Sequence, residues 1–161
     1  MKKLSLYIDT SVLGGIFDTE DAKRVSTVET LLNSIRDGMY EGFISGLTIT
    51  EVFAAPAKIH ESLQARIAET GFQILDETTE CTSLAESYLS SHAIPKKYRD
   101  DARHVAIAVV HDLDYIVSWN YKHMVNISVR RLVNSTNIRM GYNPIEIISP
   151  EEVTGDGEME I

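Results

Sequence analysis

Cysteine is all but missing from this chain: Cys81 stands alone among 161 residues. A single thiol excludes an internal disulfide and any cysteine-cluster zinc site, and it reads as a small buried hydrophobe. Long apolar runs are absent as well. No stretch approaches the roughly 20 apolar residues that a membrane span needs, and the opening residues hold too short an apolar run for a secretory leader. The expectation is a cytoplasmic protein, in which the triplets at Asn126 and Asn134 lose any glycosylation meaning. Positive charge is also scarce, with 15 Lys and Arg against 24 Asp and Glu for a net charge of −9. That balance argues against a surface that binds nucleic acid broadly, because such binding depends on cations replacing the counterions of phosphate. It leaves room for a local site, since a divalent cation gathered by carboxylates adds charge that a residue count omits. Lys96, Lys97 and Arg99 cluster together, as do Arg130 and Arg131. Either group could guide a phosphate backbone, but taken alone each reads as a solvated face.

What is present is a core-forming chain of alternating segments, 43% hydrophobic and long enough for one sizeable domain. Residues 4–8 read as a first strand, and Asp9-Thr10-Ser11 supplies helix-start chemistry for a short helix through Phe17. Val25, Val28, Leu31, Leu32 and Ile35 mark an amphipathic helix ending near Asp37-Gly38. A strand over residues 41–45 follows, then a helix carrying Glu51, which Ala54-Ala55-Pro56 separates from a further helix over about 57–69. Residues 72–75 read as a strand and 79–92 as a helix, and Pro95 breaks the chain before the helix that begins near Asp100-Asp101. In that helix Ala102, Val105, Ala106, Val109 and Val110 recur at helical spacing, the alanines allowing close approach to a sheet. Residues 115–118 then form a strand, 121–124 one helical turn, 129–137 a last helix and 145–148 a final strand. Strands alternating with helices predict an α/β domain over residues 1–149 with a mostly parallel sheet covered on both faces. Residues 150–161 are acidic and poor in apolar side chains, and are expected to be a mobile tail.

Three acids stand out. Asp9 ends the first strand, Glu51 lies between Ile49 and Val52 in an apolar helix, and Asp101 falls in a first helical turn. Each has an ordinary explanation: Asp9 as a helix cap, Asp101 or its neighbour Asp100 as a complement to a helix dipole, Glu51 as the exposed face of its helix. In an α/β layer, however, all three could approach the edge where the strands' carboxyl ends lie. Carboxylates brought together there repel one another and call for a counter-ion. A hard cation such as Mg²⁺ takes oxygen ligands, keeps several waters and accepts phosphate, which suits metal-assisted hydrolysis of a phosphodiester.

These same residues carry a family resemblance. Tyr7-Ile8-Asp9-Thr10-Ser11, Thr50-Glu51-Val52, Asp100-Asp101-Ala102-Arg103-His104-Val105-Ala106-Ile107-Ala108 and Val117-Ser118-Trp119-Asn120 resemble, in order and spacing, the successive motifs of PIN domains. The likeness spans about residues 4–148. It implies a three-layer α/β/α sandwich and a ribonuclease site using Mg²⁺ or Mn²⁺, acting on RNA. Many small members are toxins of prokaryotic toxin–antitoxin pairs, similar to VapC, which implies an antitoxin partner and often a homodimer. By position, the resemblance makes Asp9, Glu51 and Asp101 the metal-binding acids and Ser11 a hydroxyl that orients water or a ligand. Asn120 stands where many members carry a fourth acid. An amide brings a carbonyl oxygen and no charge, which weakens the case for a second cation. His104 and His123 invite a general-base role but read as packing or surface residues, and Trp119 as a core residue rather than a base-stacking one.

Two other functions compete. A PIN-like module that binds RNA or a protein partner with little or no catalysis would suit Asn120 and the negative charge. Phosphoryl transfer through an aspartyl intermediate would suit an Asp ending a first strand. A haloacid-dehalogenase-like motif wants a second Asp where Ser11 stands, and a response-receiver motif wants a late lysine that residues 145–150 lack.

Overall fold

The computed structural model describes residues 2–155. Among them, β1 (Ser5–Ile8), β2 (Glu41–Ser45), β3 (Gln73–Leu75), β4 (Tyr115–Val117) and β5 (Glu146–Ile148) form one parallel sheet in the order β3-β2-β1-β4-β5. The helices are α1 (Thr10–Gly14), α2 (Ala22–Arg36), α3 (Gly46–Phe53), α4 (Ala57–Thr70), α5 (Thr79–Ser90), α6 (Arg99–Val110), α7 (Ile127–Arg139) and α8 (Pro150–Thr154). Single 3-10 turns follow α1 at Gly15–Phe17 and precede α6 at Lys96–Tyr98. None of the described helices is long and apolar enough to cross a membrane.

Alternation along the strands builds two cores. Tyr7, Phe43, Ile116 and Ile147 face α5, α6 and α7, whereas Leu6, Ile8, Ile44 and Val117 face α1, α2 and α4. The three-layer α/β/α sandwich follows from that two-sided burial. In α6, Ala102 and Ala106 are fully buried, so the helix lies close against the sheet, as its small-residue spacing predicts. From the central β1 the chain winds outward through β2 and β3, then returns to the other side of β1 with β4. The strand order therefore switches between β1 and β4, and in open α/β sheets the crevice outside the carboxyl ends at such a switch is where ligands bind.

Most sequence-derived elements are found within a residue or two. α7 begins at Ile127 rather than 129 because the Asn126 side chain caps it, accepting the Val129 N–H at 2.9 Å. Residues 121–124 make turns rather than a helical turn. The expected tail is corrected over its first part: Pro150–Thr154 is helical, with Pro150 at its start and Ser149 and Glu152 exchanging capping bonds. It packs on α2, and Val153 joins the core on that face. The remainder of that expectation, residues 156–161, lies outside the described residues.

Trp119, just past β4, is a strut of this arrangement and is 6% exposed, in keeping with a core role. Its indole N–H donates to the Glu151 carboxylate at 2.8 Å, and the Arg24 guanidinium lies 4.3 Å over its ring. Gly15 faces that ring so closely that a Cβ there would meet Trp119 Cζ3 at 2.4 Å. Because the ring is pinned on both sides, Gly15→Ala is expected to lower stability by about 1–3 kcal/mol through overpacking. Urea denaturation measures it, and an unchanged midpoint would show that the Trp119 ring is free to move.

Candidate active site

The site is assembled at the carboxyl ends of β1 and β4. Asp9 follows β1 directly and is 5% exposed. It occupies the N-cap position of α1, yet its side chain makes no capping bond. Its Oδ2 instead accepts the hydroxyls of Ser11 at 2.7 Å and Ser118 at 2.8 Å. Ser11 Oγ in turn accepts the Trp119 N–H at 3.1 Å, and Ser118 Oγ accepts the Asn120 N–H at 2.9 Å. The loop after β4 is thus tied to the turn after β1 through two hydroxyls that both address one carboxylate.

Glu51 arrives from α3, whose start is set by a capping box between Ser45 and Thr48. Its Oε1 accepts the Thr10 hydroxyl at 2.8 Å and lies 2.6 Å from His104 Nε2. Asp101 arrives in the first turn of α6, and its Oδ2 accepts the Asn120 side-chain amide at 3.1 Å. Asp100 points elsewhere and pairs with Arg103 at 2.9 Å. Of the two adjacent acids, Asp101 is the one in the crevice.

His104 joins the carboxylates. Its side chain is 2% exposed, with Nε2 between Glu51 Oε1 at 2.6 Å and Asp9 Oδ1 at 4.0 Å. Nδ1 lies 2.5 Å from the Tyr7 hydroxyl, which is 2.7 Å from Ser45 Oγ. Burial opposes charge on the imidazole, but the hydrogen bond to Glu51 and the fields of Asp9, Glu51 and Asp101 outweigh it and raise its pKa. Nε2 donates to the Glu51 carboxylate, and Nδ1 pairs with the Tyr7 hydroxyl. Burial likewise works to raise the pKa of Glu51, yet the His104 contact and the Thr10 hydroxyl hold it below its ordinary value. Burial foremost, and then the nearby Asp9 charge, push Asp101 up to about 6.

All three acids offer hard oxygen donors, the kind that Mg²⁺ and Mn²⁺ take, and Mg²⁺ uses one or two carboxylates while keeping waters. Among the described residues, no group of three His, Cys, Asp or Glu side chains is arranged to hold an ion outright. The residues fit such an ion in donor type, with the His104 imidazole set between Glu51 and Asp9.

A family model described as "PIN domain" matches residues 6–123, well over half of the chain. The chain belongs to the PIN domain family. PIN domains are generally nucleases, and this match takes in Asp9, Ser11, Glu51, Asp101 and Asn120. Two solved structures share the fold. A toxin–antitoxin complex from Klebsiella pneumoniae aligns with a TM-score of 0.57 at 20% identity, covering 77% of this chain and 93% of its own. VapBC2 from Rickettsia felis, bound to a DNA fragment from its promoter, aligns with a TM-score of 0.54 at 14% identity, covering 91% and 98%. A search of curated proteins finds no match.

The five residues singled out in the sequence therefore lie at one sheet edge of a PIN fold. Sequence reasoning missed the centrality of His104, as well as Thr10, Ser118 and Tyr7. His104 lies one helical turn after Asp101, a spacing that puts the two on one face of α6, and that was the available signal.

Asp101 ionises at a cost to the fold. Its folded pKa of about 6 exceeds the ordinary value, so its contribution to stability is full below the unfolded pKa and is lost as pH rises through about 6. Asp101→Asn is expected to raise stability without added metal near pH 8 by about 1 kcal/mol, after allowance for partial exposure, with the gain shrinking toward pH 4. Thermal unfolding in a chelator at both pH values reads this out. Equal melting temperatures for Asp101→Asn and the wild type at pH 8 would mean that ionised Asp101 costs the fold nothing.

Proposed function

We propose that this PIN domain is a metal-dependent endoribonuclease, hydrolysing RNA phosphodiester bonds as the toxin of a toxin–antitoxin pair. The observation that carries the reading is the convergence of Asp9, Glu51 and Asp101 on the β1/β4 crevice around one shared histidine. Asp9, Glu51 and Asp101 would hold Mg²⁺ or Mn²⁺. Bound there, the cation would supply Lewis acidity that activates water and offsets charge developing on the phosphate. Ser11 and Ser118 fix the Asp9 carboxylate through Oδ2, while Thr10 and His104 hold Glu51 by Oε1. Asn120 anchors Asp101 through its amide, and its carbonyl is engaged by the His123 N–H at 3.0 Å. An amide so engaged favours one principal cation over two.

The toxin assignment draws support from the two toxin–antitoxin structures that share the fold. An antitoxin partner, a homodimer and a cytoplasmic setting belong to the same reading. The second reading, a module that binds RNA or protein without turnover, is favoured by the direct hydrogen bond that engages Glu51 with His104.

Cleavage of total RNA with Mn²⁺ or Mg²⁺ separates the two. Asp9→Asn and Asp101→Asn are each expected to lower the rate at least about 100-fold, since the charge compensation they remove operates in the transition state. Mn²⁺ at about 100 times its Kd is expected to stabilise the wild type by about 2.7 kcal/mol and to leave Asp9→Asn nearly unchanged. RNA binding by the wild type with no turnover and no shift in melting on adding metal would establish the binding module instead.

A further inference from the structure

The site described above is strongly acidic, which poses a problem for a polyanionic substrate. A phosphate approaching Asp9, Glu51 and Asp101 meets repulsion unless cations stand nearby. The cations next to the site are not equivalent. Arg99 pairs with Glu86, and Arg103 pairs with Glu77 and Asp100. Lys97 and Lys122 are exposed, and neither has a carboxylate partner among the described residues.

Those two lysines belong to segments held together beside the crevice. The Tyr98 ring stacks on the His123 imidazole, with centroids 3.4 Å apart and planes at 28°. Lys97 Nζ lies 5.2 Å from the Tyr98 ring centroid, and Lys122 immediately precedes His123. Burial and then the charges of Lys122 and Lys97 lower the His123 pKa, so both ammonium groups act at the same place. Asn120 connects the His123 segment to the acids, accepting the His123 N–H at 3.0 Å and donating to Asp101 at 3.1 Å. On the Lys97 side an open recess of about 300 Å³ is lined by Lys97, Tyr98, Arg99, Asp100 and Asp101.

We infer that Lys97 and Lys122, braced by the Tyr98–His123 stack, form a phosphate subsite that holds the RNA backbone on the Asp101 side of the scissile bond. The inference rests on the ribonuclease reading and assigns one flank of its substrate. The two lysines replace counterions on neighbouring phosphates, and the stack keeps their segments at a fixed separation. In a chain of net charge −9, this is a local cationic site rather than a broadly basic face.

The test is fluorescence anisotropy of a labelled short oligouridylate against salt concentration, in a chelator so that the strand stays intact. Loss of two phosphate contacts predicts that Lys97→Gln/Lys122→Gln binds roughly tenfold more weakly, with a salt slope shallower by about 1.4. Lys97→Arg/Lys122→Arg is expected to restore both, and Arg131→Gln on α7 to change neither. Wild-type affinity and slope in the double Gln variant would overturn the subsite while leaving the nuclease reading intact. An equal loss in Arg131→Gln would also overturn it, by showing that overall charge governs binding. Failure of the wild type to bind or cleave any RNA would overturn the ribonuclease reading, and the subsite with it. Because both lysines are exposed, the variants are expected to melt with the wild type, so changed affinity reports binding.

Discussion

Three carboxylates and one buried histidine share the crevice where β1 and β4 end, and the rest of the site is arranged around that contact. Asp9, Glu51 and Asp101 repel one another, and the low-dielectric surroundings of a sheet edge amplify the repulsion. His104 stands in the middle of the group, donating to Glu51 and facing Asp9, and the fields of the three acids raise its pKa. Tyr7, on the sheet face that α6 covers, fixes it from behind, and Ser45 and Thr48 hold Tyr7. Burial first, and then the Asp9 charge, leave Asp101 with an elevated pKa. A site that keeps an unfavourable field gives up some stability.

The fold creates this conjunction by topology. The reversal of strand order at β1 opens a crevice there, and the residues that follow β1 and β4 necessarily border it. Alanines in α6 bring that helix near enough to the sheet for Asp101 to reach Asn120. More distant elements contribute indirectly. α8 holds Trp119 through Glu151, and Trp119 sits in the loop whose backbone is tethered to Ser11 and whose next residue anchors Asp101. A short helix at the end of the described chain thereby steadies the loop on which the site depends.

Much of this was legible from local pattern. Strand–helix alternation indicated a parallel sheet, and acids at strand ends or helix starts indicated where chemistry would lie. The local rules misled where two of them competed. The acidic, apolar-poor composition from Pro150 onward suggests a tail, whereas Ser149-Pro150-Glu151-Glu152 carries the helix-start chemistry that builds α8. Asp9 matched a helix cap by position, yet its carboxylate is committed to two serine hydroxyls, one of them 109 residues away.

By itself, the sequence determined the order of elements, the buried faces of the strands and which acids stand at the ends of segments, because those follow from periodicity and from propensities that act over a few residues. Only the tertiary structure decided that Asp101 rather than Asp100 enters the crevice, that His104 bonds Glu51 at the centre of the acids rather than merely packing, and that the segments of Lys97 and Lys122 meet at the Tyr98–His123 stack. Each of these depends on pairings across layers, between residues whose separation along the chain carries no record of their distance in space.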